Sequence, residues 1–202
     1  MPLFNCSPDL PNCFNYYVNC ISEAKSDALY NYLVSNMNWQ QPVISMFGKQ
    51  VLIPRKQVYM SDGKFNYAYS GMALEIEPWD PILEKFASRL TKQFEVPFNA
   101  VLVNWYRDGN DSVGWHADDE AELGVDPVIA SISLGDRRLF KIKNVVTKQT
   151  FDIQLENGSC LLMSGKSQSQ YQHCLPKMAN TNIGNSVRGR INLTFRYIHP
   201  DI

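Results

Sequence analysis

His116-Ala117-Asp118 puts one imidazole and one carboxylate on the same side of an extended segment, and a second histidine, His173, lies far downstream. Two histidines and one carboxylate can hold a divalent metal by one face and leave three positions open, as in non-haem Fe(II) oxygen chemistry. The ligand choice is narrow, because the chain has only three histidines: His116, His173 and His199. A His-x-Asp triplet alone arises often by chance. Its weight comes from the downstream order of His173 and then Arg190-Ile191-Asn192-Leu193-Thr194-Phe195-Arg196. In a strand, that run sets Arg190, Asn192, Thr194 and Arg196 on one face and three apolar residues on the other. Arginine forks match carboxylates, so two of them suit a substrate or co-substrate carrying two carboxylates. The bland alternative for the arginines is a solvated edge strand.

These residues must be positioned by strands. From Phe98 onward, short apolar runs succeed one another: Ala100–Trp105, Val128–Leu134, Leu139–Ile142, Thr150–Leu155, Ser159–Met163, Tyr171–Leu175 and Ile191–Ile198. Turns at Arg107-Asp108-Gly109-Asn110, Gly135-Asp136 and Asn157-Gly158 separate them, and the Asn-Gly pair predicts a hairpin. Upstream, a short strand is expected near Phe14–Val18. A helix capped by Ser22 should run to about Met37, with Leu29, Leu33 and Met37 on one stripe. Asp80-Pro81 opens a second helix, with Ile82, Phe86, Leu90 and Phe94 at helical spacing. Val43–Met60 reads as a hairpin turning at Phe47-Gly48-Lys49, and Ser61–Lys64 as a further turn. Two helices leading into many short strands predict a mainly β protein with flanking helices and a double-sheet barrel or jelly-roll core.

Composition is that of one ordinary globular domain: 202 residues, 45% apolar and 19% charged. A net charge of -1 excludes a strongly basic nucleic-acid binder, though not a local basic groove. Such a groove could draw on Lys49, Arg55, Lys56 and Lys64, and on Arg137, Arg138, Lys141 and Lys143. No apolar run reaches the length of a membrane span and no signal peptide is read, so no membrane partner is expected. Five cysteines without C-x-x-C spacing read as reduced thiols rather than a zinc site, with Cys160 and Cys174 in the core. The expected setting is therefore intracellular and reducing, cytoplasm in a bacterium or nucleus in a eukaryote. His199 reads as an exposed residue without a role.

Val103-Asn104-Trp105-Tyr106-Arg107-Asp108-Gly109, Gly114-Trp115-His116-Ala117-Asp118-Asp119-Glu120, Ile129-Ala130-Ser131-Ile132-Ser133-Leu134-Gly135 and the run from His173 to Arg196 together resemble the AlkB family of Fe(II)/2-oxoglutarate dioxygenases. Ile53-Pro54-Arg55-Lys56-Gln57 and Tyr67-Ala68-Tyr69-Ser70-Gly71 are similar to its branch that repairs alkylated duplex DNA. The resemblance covers about residues 43–198. It implies a double-stranded β-helix core over 98–202. An N-terminal part, 1–97, would carry helices and a nucleotide-recognition lid, all in one compact catalytic domain. It implies Fe(II) bound by His116, Asp118 and His173, and 2-oxoglutarate held by Asn104, Tyr106, Arg190, Asn192, Thr194 and Arg196, with O2 as oxidant. Arg190 would pair the distal carboxylate, with Arg196 nearer the metal.

The same resemblance implies a flipped base among Tyr67, Tyr69, Ser70 and Glu120, with Phe47 filling the gap in the duplex and Arg55 contributing to binding. Tyr69 stands where the duplex-DNA branch has phenylalanine. Taken as residues alone, Tyr67 and Tyr69 would also serve as hairpin core and Glu120 as a solvated acid. The implied activity is oxidative demethylation of N1-methyladenine and N3-methylcytosine by a monomer acting on alkylated, double-stranded DNA, releasing formaldehyde, succinate and CO2. The alternatives are an RNA or single-strand demethylase of the same family, and a non-catalytic nucleic-acid-binding protein on the same fold.

Overall fold

The computed structural model describes residues 9–46, 48–63, 68–69, 72–73, 75–178 and 188–199. Phe47, Lys64, Tyr67 and Ser70 lie outside the described residues, and of Tyr69 only the backbone is described. In chain order the elements are β1 (Phe14–Tyr17), α1 (Glu23–Asn36), β2 (Val43–Met46), β3 (Lys49–Leu52), β4 (Lys56–Ser61), β5 (Ala68–Tyr69), β6 (Met72–Ala73) and β7 (Ile76–Glu77). Then come α2 (Pro81–Phe94), β8 (Ala100–Tyr106), β9 (Val113–His116), β10 (Ile129–Gly135), β11 (Arg138–Asn144), β12 (Thr150–Leu155), β13 (Cys160–Met163), β14 (Tyr171–Leu175) and β15 (Arg190–Arg196). β9, which carries His116, is a strand that periodicity did not disclose. None of the described helices is long and apolar enough to cross a membrane.

Two sheets face each other. The larger runs β1-β13-β10-β15-β8-β4-β7 and the smaller β12-β11-β14-β9. Strands from both sides of residue 97 thus share the larger sheet. Period-two alternation decides what each face does. Val101, Val103, Ala130, Ile132, Leu134, Ile191, Leu193 and Phe195 point outward and form one core with Leu29 and Leu33 of α1 and Leu83 and Ala87 of α2. Phe14, Tyr16, Tyr106, Ile129, Phe140, Ile142, Leu161 and Leu175 form a second core between the sheets. β15 is central and every residue in it is buried, so the solvated-edge reading of its arginines does not hold.

Helix ends obey local chemistry, with two corrections. Asp80 caps α2 as expected, its Oδ1 accepting from the Ile82 and Leu83 amides at 2.9 and 3.2 Å. The α2 face that turns fully inward is Leu83 and Ala87, while Ile82 is exposed. Ser22 does occupy the cap position of α1, but its side chain makes no capping bond.

Asn157-Gly158 does not close a hairpin. β12 pairs with β11 in the smaller sheet, whereas β13 pairs with β1 and β10 in the larger one. The turn carries the chain from one sheet to the other. Its polar groups are used as fastenings: Asn157 Oδ1 accepts from the Gly135 amide at 2.9 Å, and its Nδ2 donates to Asp27 Oδ1 at 3.0 Å. Gly158 has φ +75°, and a Cβ there would run into the Ile21 carbonyl and Ser26 Oγ. Local Asn-Gly chemistry favours a tight turn but does not choose the partner strand.

Gly158→Ala should therefore destabilise the fold by on the order of 1–3 kcal/mol, from left-handed backbone strain plus the backbone clash. Urea unfolding measures it; a midpoint equal to the unsubstituted protein would show that the crossing is not tightly packed.

Candidate active site between the sheets

The six residues expected to hold the co-substrate all line one cavity between the sheets, together with His116, Asp118 and His173. β15 and β8 build one wall. They pair antiparallel with Asn192 opposite Asn104 and Arg190 opposite Tyr106, which brings the polar alternations of both strands onto the inner face. The smaller sheet brings His116 of β9 directly opposite His173 of β14. A bulge then offsets β9 against β14, so that Val113 and His116 both reach the cavity while Trp115 is left 39% exposed. Asp118 lies just beyond the strand; its amide donates to Gln168 Oε1 at 2.9 Å.

The ligand atoms of His116, Asp118 and His173 lie within 4.8 Å of one another. His116 Nδ1 sits 2.9 Å from the Gly114 carbonyl, a contact that favours a proton on Nδ1 and leaves Nε2 with a lone pair. His116 Nε2 lies 3.9 Å from Asp118 Oδ1, and the two imidazole centroids are 4.3 Å apart. His173 also stacks on Phe140 at 5.3 Å. Burial alone would raise the Asp118 carboxyl. The Arg196 guanidinium, 3.0 Å away, and then His173 and His116 outweigh it and hold the group at about 2. Burial, reinforced by the His116 charge, pushes His173 down to about 3 in spite of Asp118. At neutral pH the set is thus a carboxylate beside a neutral buried imidazole, the forms that ligate a metal. His173 Nδ1 is buried without a hydrogen-bond partner among the described residues. This donor set fits Fe(II).

The rest of the cavity is a polar ladder. Arg190 Nη2 donates to Ser133 Oγ at 2.9 Å and to Asn192 Oδ1 at 2.8 Å, Ser131 Oγ donates to Asn192 Oδ1 at 2.8 Å, and Asn192 Nδ2 donates to Thr194 Oγ1 at 2.5 Å. Arg190 lies 5.5 Å from the Tyr106 ring centroid. Burial draws its guanidinium down to about 10, so it remains a cation at neutral pH. Among the described residues its hydrogen bonds go to neutral oxygens, and its buried Nε has none. Arg190 and Arg196 stand at opposite ends of β15, about 20 Å apart along the backbone at roughly 3.3 Å per residue.

Other expected residues fall differently. Arg55 is buried against the cavity, its Nε donating to Asn104 Oδ1 at 2.9 Å. Glu120 is half-buried, opens a 3-10 turn over Ala121–Leu123, and is not part of the cavity wall. Arg138 does not join a solvated basic patch. It is 2% exposed and donates to the carbonyls of Asp108, Asp111 and Pro176. His199 is half-buried, its amide bonded to the Glu122 carbonyl. Ser131 and Ser133, quoted in sequence only as part of a family-like run and given no site role, support Asn192 and Arg190; their spacing in Ile129–Ser133 signals an inward polar face. For Gln168 the sequence offers no signal.

The 2OG-Fe(II) oxygenase superfamily model matches residues 14–196. The chain is 32% identical over 195 residues to mouse (Mus musculus) alpha-ketoglutarate-dependent dioxygenase alkB homolog 3, covering 92% of this chain and 66% of that protein. It is 33% identical over 195 residues to mouse DNA oxidative demethylase ALKBH2, covering 91% of this chain and 80% of that protein. The solved structure described as that of OsALKBH1 superposes with a TM-score of 0.67 at 16% identity, over 93% of this chain and 99% of that one, a likeness of fold. The chain therefore belongs to the AlkB family of the 2OG-Fe(II) oxygenase superfamily, and its two facing sheets are that superfamily's jelly roll. Fe(II), 2-oxoglutarate and O2 are the cofactor, co-substrate and oxidant of this class of dioxygenase. The chain spans just under two thirds of the alkB homolog 3 relative.

The titration of His173 has a measurable consequence. Unfolded, the group titrates near 6.5; folded, near 3. Below pH 6.5 the unfolded chain binds a proton that the folded chain refuses, so metal-free protein should lose stability as pH falls from 6.5 toward 3. His173→Gln should flatten this slope, seen as a smaller change in urea midpoint between about pH 7 and pH 5. Equal slopes in the two proteins would show that His173 is not buried neutral.

Proposed function

We propose that this chain is a direct-reversal DNA repair enzyme, an oxidative demethylase of N1-methyladenine and N3-methylcytosine acting on double-stranded DNA. The observation that carries this reading is one cavity with a His-Asp-His set at one part of its wall and, at the far end of β15, a buried arginine that no carboxylate among the described residues pairs. Relatives that bear the name DNA oxidative demethylase support the nucleic-acid substrate. When bound, Fe(II) with 2-oxoglutarate and O2 supplies the oxidising equivalent that hydroxylates the N-methyl carbon; the product sheds formaldehyde, beside succinate and CO2.

The chain's own residues do the rest. His116, Asp118 and His173 would hold the metal. Arg196 keeps Asp118 ionised and aimed. Arg190 takes the distal carboxylate of 2-oxoglutarate, with Asn104, Tyr106, Asn192 and Thr194 completing the walls. The wall around Phe140, Met163 and Leu175 is apolar, which strengthens each charge contact inside. Tyr67, Tyr69, Ser70 and Glu120 are the proposed base contacts, Phe47 the residue that enters the duplex, and Arg55 a further contact.

Formaldehyde and succinate release from methylated oligonucleotides, single- and double-stranded, tests the function. His116→Ala, Asp118→Ala or His173→Ala should each abolish turnover and bound iron; near-normal turnover with stoichiometric iron in any of them refutes the ligand set. Arg190→Ala should weaken 2-oxoglutarate binding by on the order of 2–5 kcal/mol while the fold survives. Calorimetry reads this, and unchanged affinity would remove Arg190 from the distal carboxylate. Phe47→Ala should depress activity on methylated duplexes far more than on single strands, because an aromatic stack worth roughly 1–3 kcal/mol offsets the cost of flipping. Equal losses on both substrates would favour a single-strand or RNA demethylase, and no succinate release at all a non-catalytic binder.

A further inference from the structure

Arg190 is the first residue of β15, and residues 188–189 lead into it. Strand ends open readily unless something outside the ladder holds them. Here α1, on the opposite face of the larger sheet, grips Arg188, two residues before Arg190. Arg188 Nη1 donates to Asp27 Oδ1 at 2.6 Å and Nη2 to the Asp27 carbonyl at 3.2 Å. The Arg188 guanidinium lies 4.3 Å over the Tyr30 ring, and the Tyr30 hydroxyl donates to the Arg188 carbonyl. Gly189 is fixed in turn: its amide donates to Asp136 Oδ2 at 2.9 Å, and its carbonyl accepts from the Asp136 amide at 2.8 Å. Gly189 and Gly135, the residue that pairs with Arg190, both have φ +86°, and the Tyr30 ring fills the space where a Gly135 Cβ would stand.

The Arg190 side chain has few directional contacts of its own among the described residues, two from Nη2 and none from the buried Nε. Where its guanidinium points therefore depends on where its backbone is held. We propose that Asp27 and Tyr30 are positioning residues for 2-oxoglutarate: α1 latches Arg188 and so, with Gly189 held by Asp136, fixes the backbone from which Arg190 reaches the distal carboxylate. This rests on the assignment of Arg190 to that carboxylate. Neither residue touches the cavity, so the effect passes through Arg188 and Gly189.

The test is calorimetric titration of 2-oxoglutarate into the Mn(II)-loaded protein without O2, so that binding is read and turnover is not. Tyr30→Phe keeps the ring under Arg188 and removes only the hydroxyl; Asp27→Asn keeps the shape and removes the charge. Each should raise the 2-oxoglutarate Kd about three- to ten-fold, the reach of one or two ordinary hydrogen bonds, with Mn(II) affinity unchanged. Leu29→Val, in the α1 core face, should lower the thermal midpoint and leave that Kd alone. A wild-type Kd in both Tyr30→Phe and Asp27→Asn overturns the proposal while leaving Arg190's assignment intact. So does an equal Kd rise in Leu29→Val at matched loss of thermal midpoint, because stability rather than position would then be the cause. If Arg190→Lys binds 2-oxoglutarate as the wild type does, or the wild type does not bind it, the carboxylate assignment fails and the latch proposal with it.

Discussion

Four polar side chains of a single central strand have to be buried, and much of the architecture answers that requirement. β15 has strands on both sides, helices on one face and the smaller sheet on the other. Arg190, Asn192, Thr194 and Arg196 are consequently buried away from bulk water, on the cavity wall. An unpaired buried charge costs several kcal/mol, so each cation must find compensation inside the protein or from a ligand. Arg196 finds Asp118. Arg190 finds, among the described residues, neutral oxygens and an aromatic ring. That asymmetry makes one arginine part of the metal-site support and leaves the other seeking an anion.

The same constraint couples the metal set to the sheet. Asp118 lies just past an edge strand of the smaller sheet, yet its carboxylate is held by an arginine from the centre of the larger one. Charge balance across the gap keeps the carboxylate ionised, while burial keeps the neighbouring His173 neutral. The bulge in β9 completes the arrangement, because in regular alternation Val113 and His116 would point to opposite faces.

The basic residues away from the metal set are placed differently from what their charge alone suggests. Arg55 and Arg138, which look in sequence like phosphate-binding charges, are turned inward to serve Asn104 and three backbone carbonyls. Lys141 is paired with Asp152, and Lys143 lies 4.2 Å over the exposed Trp115 ring. The β2–β3 hairpin exposes Val43, Val51 and Leu52. Of the charges in these stretches, two arginines are thus spent inside the protein and one lysine on a carboxylate, which leaves little for a broad phosphate-binding face.

By itself, the sequence determined the strand run after residue 98 except β9, the cap of α2 and the polar face of β15, since two-residue alternation and capping are local properties. It also determined the candidate ligands, because so few histidines leave little choice. Only the tertiary structure decided which strand each turn delivers. Asn157-Gly158 looks like a hairpin locally and is a crossing between sheets, because the pairing of β13 depends on β1 and β10, far away in the chain. Likewise only packing decided that Arg138 is buried, that Gln168 supports Asp118, and that α1 touches the residues before Arg190. Such contacts join side chains remote in sequence, and charge and hydropathy say that a residue needs a partner without saying which partner the fold will bring.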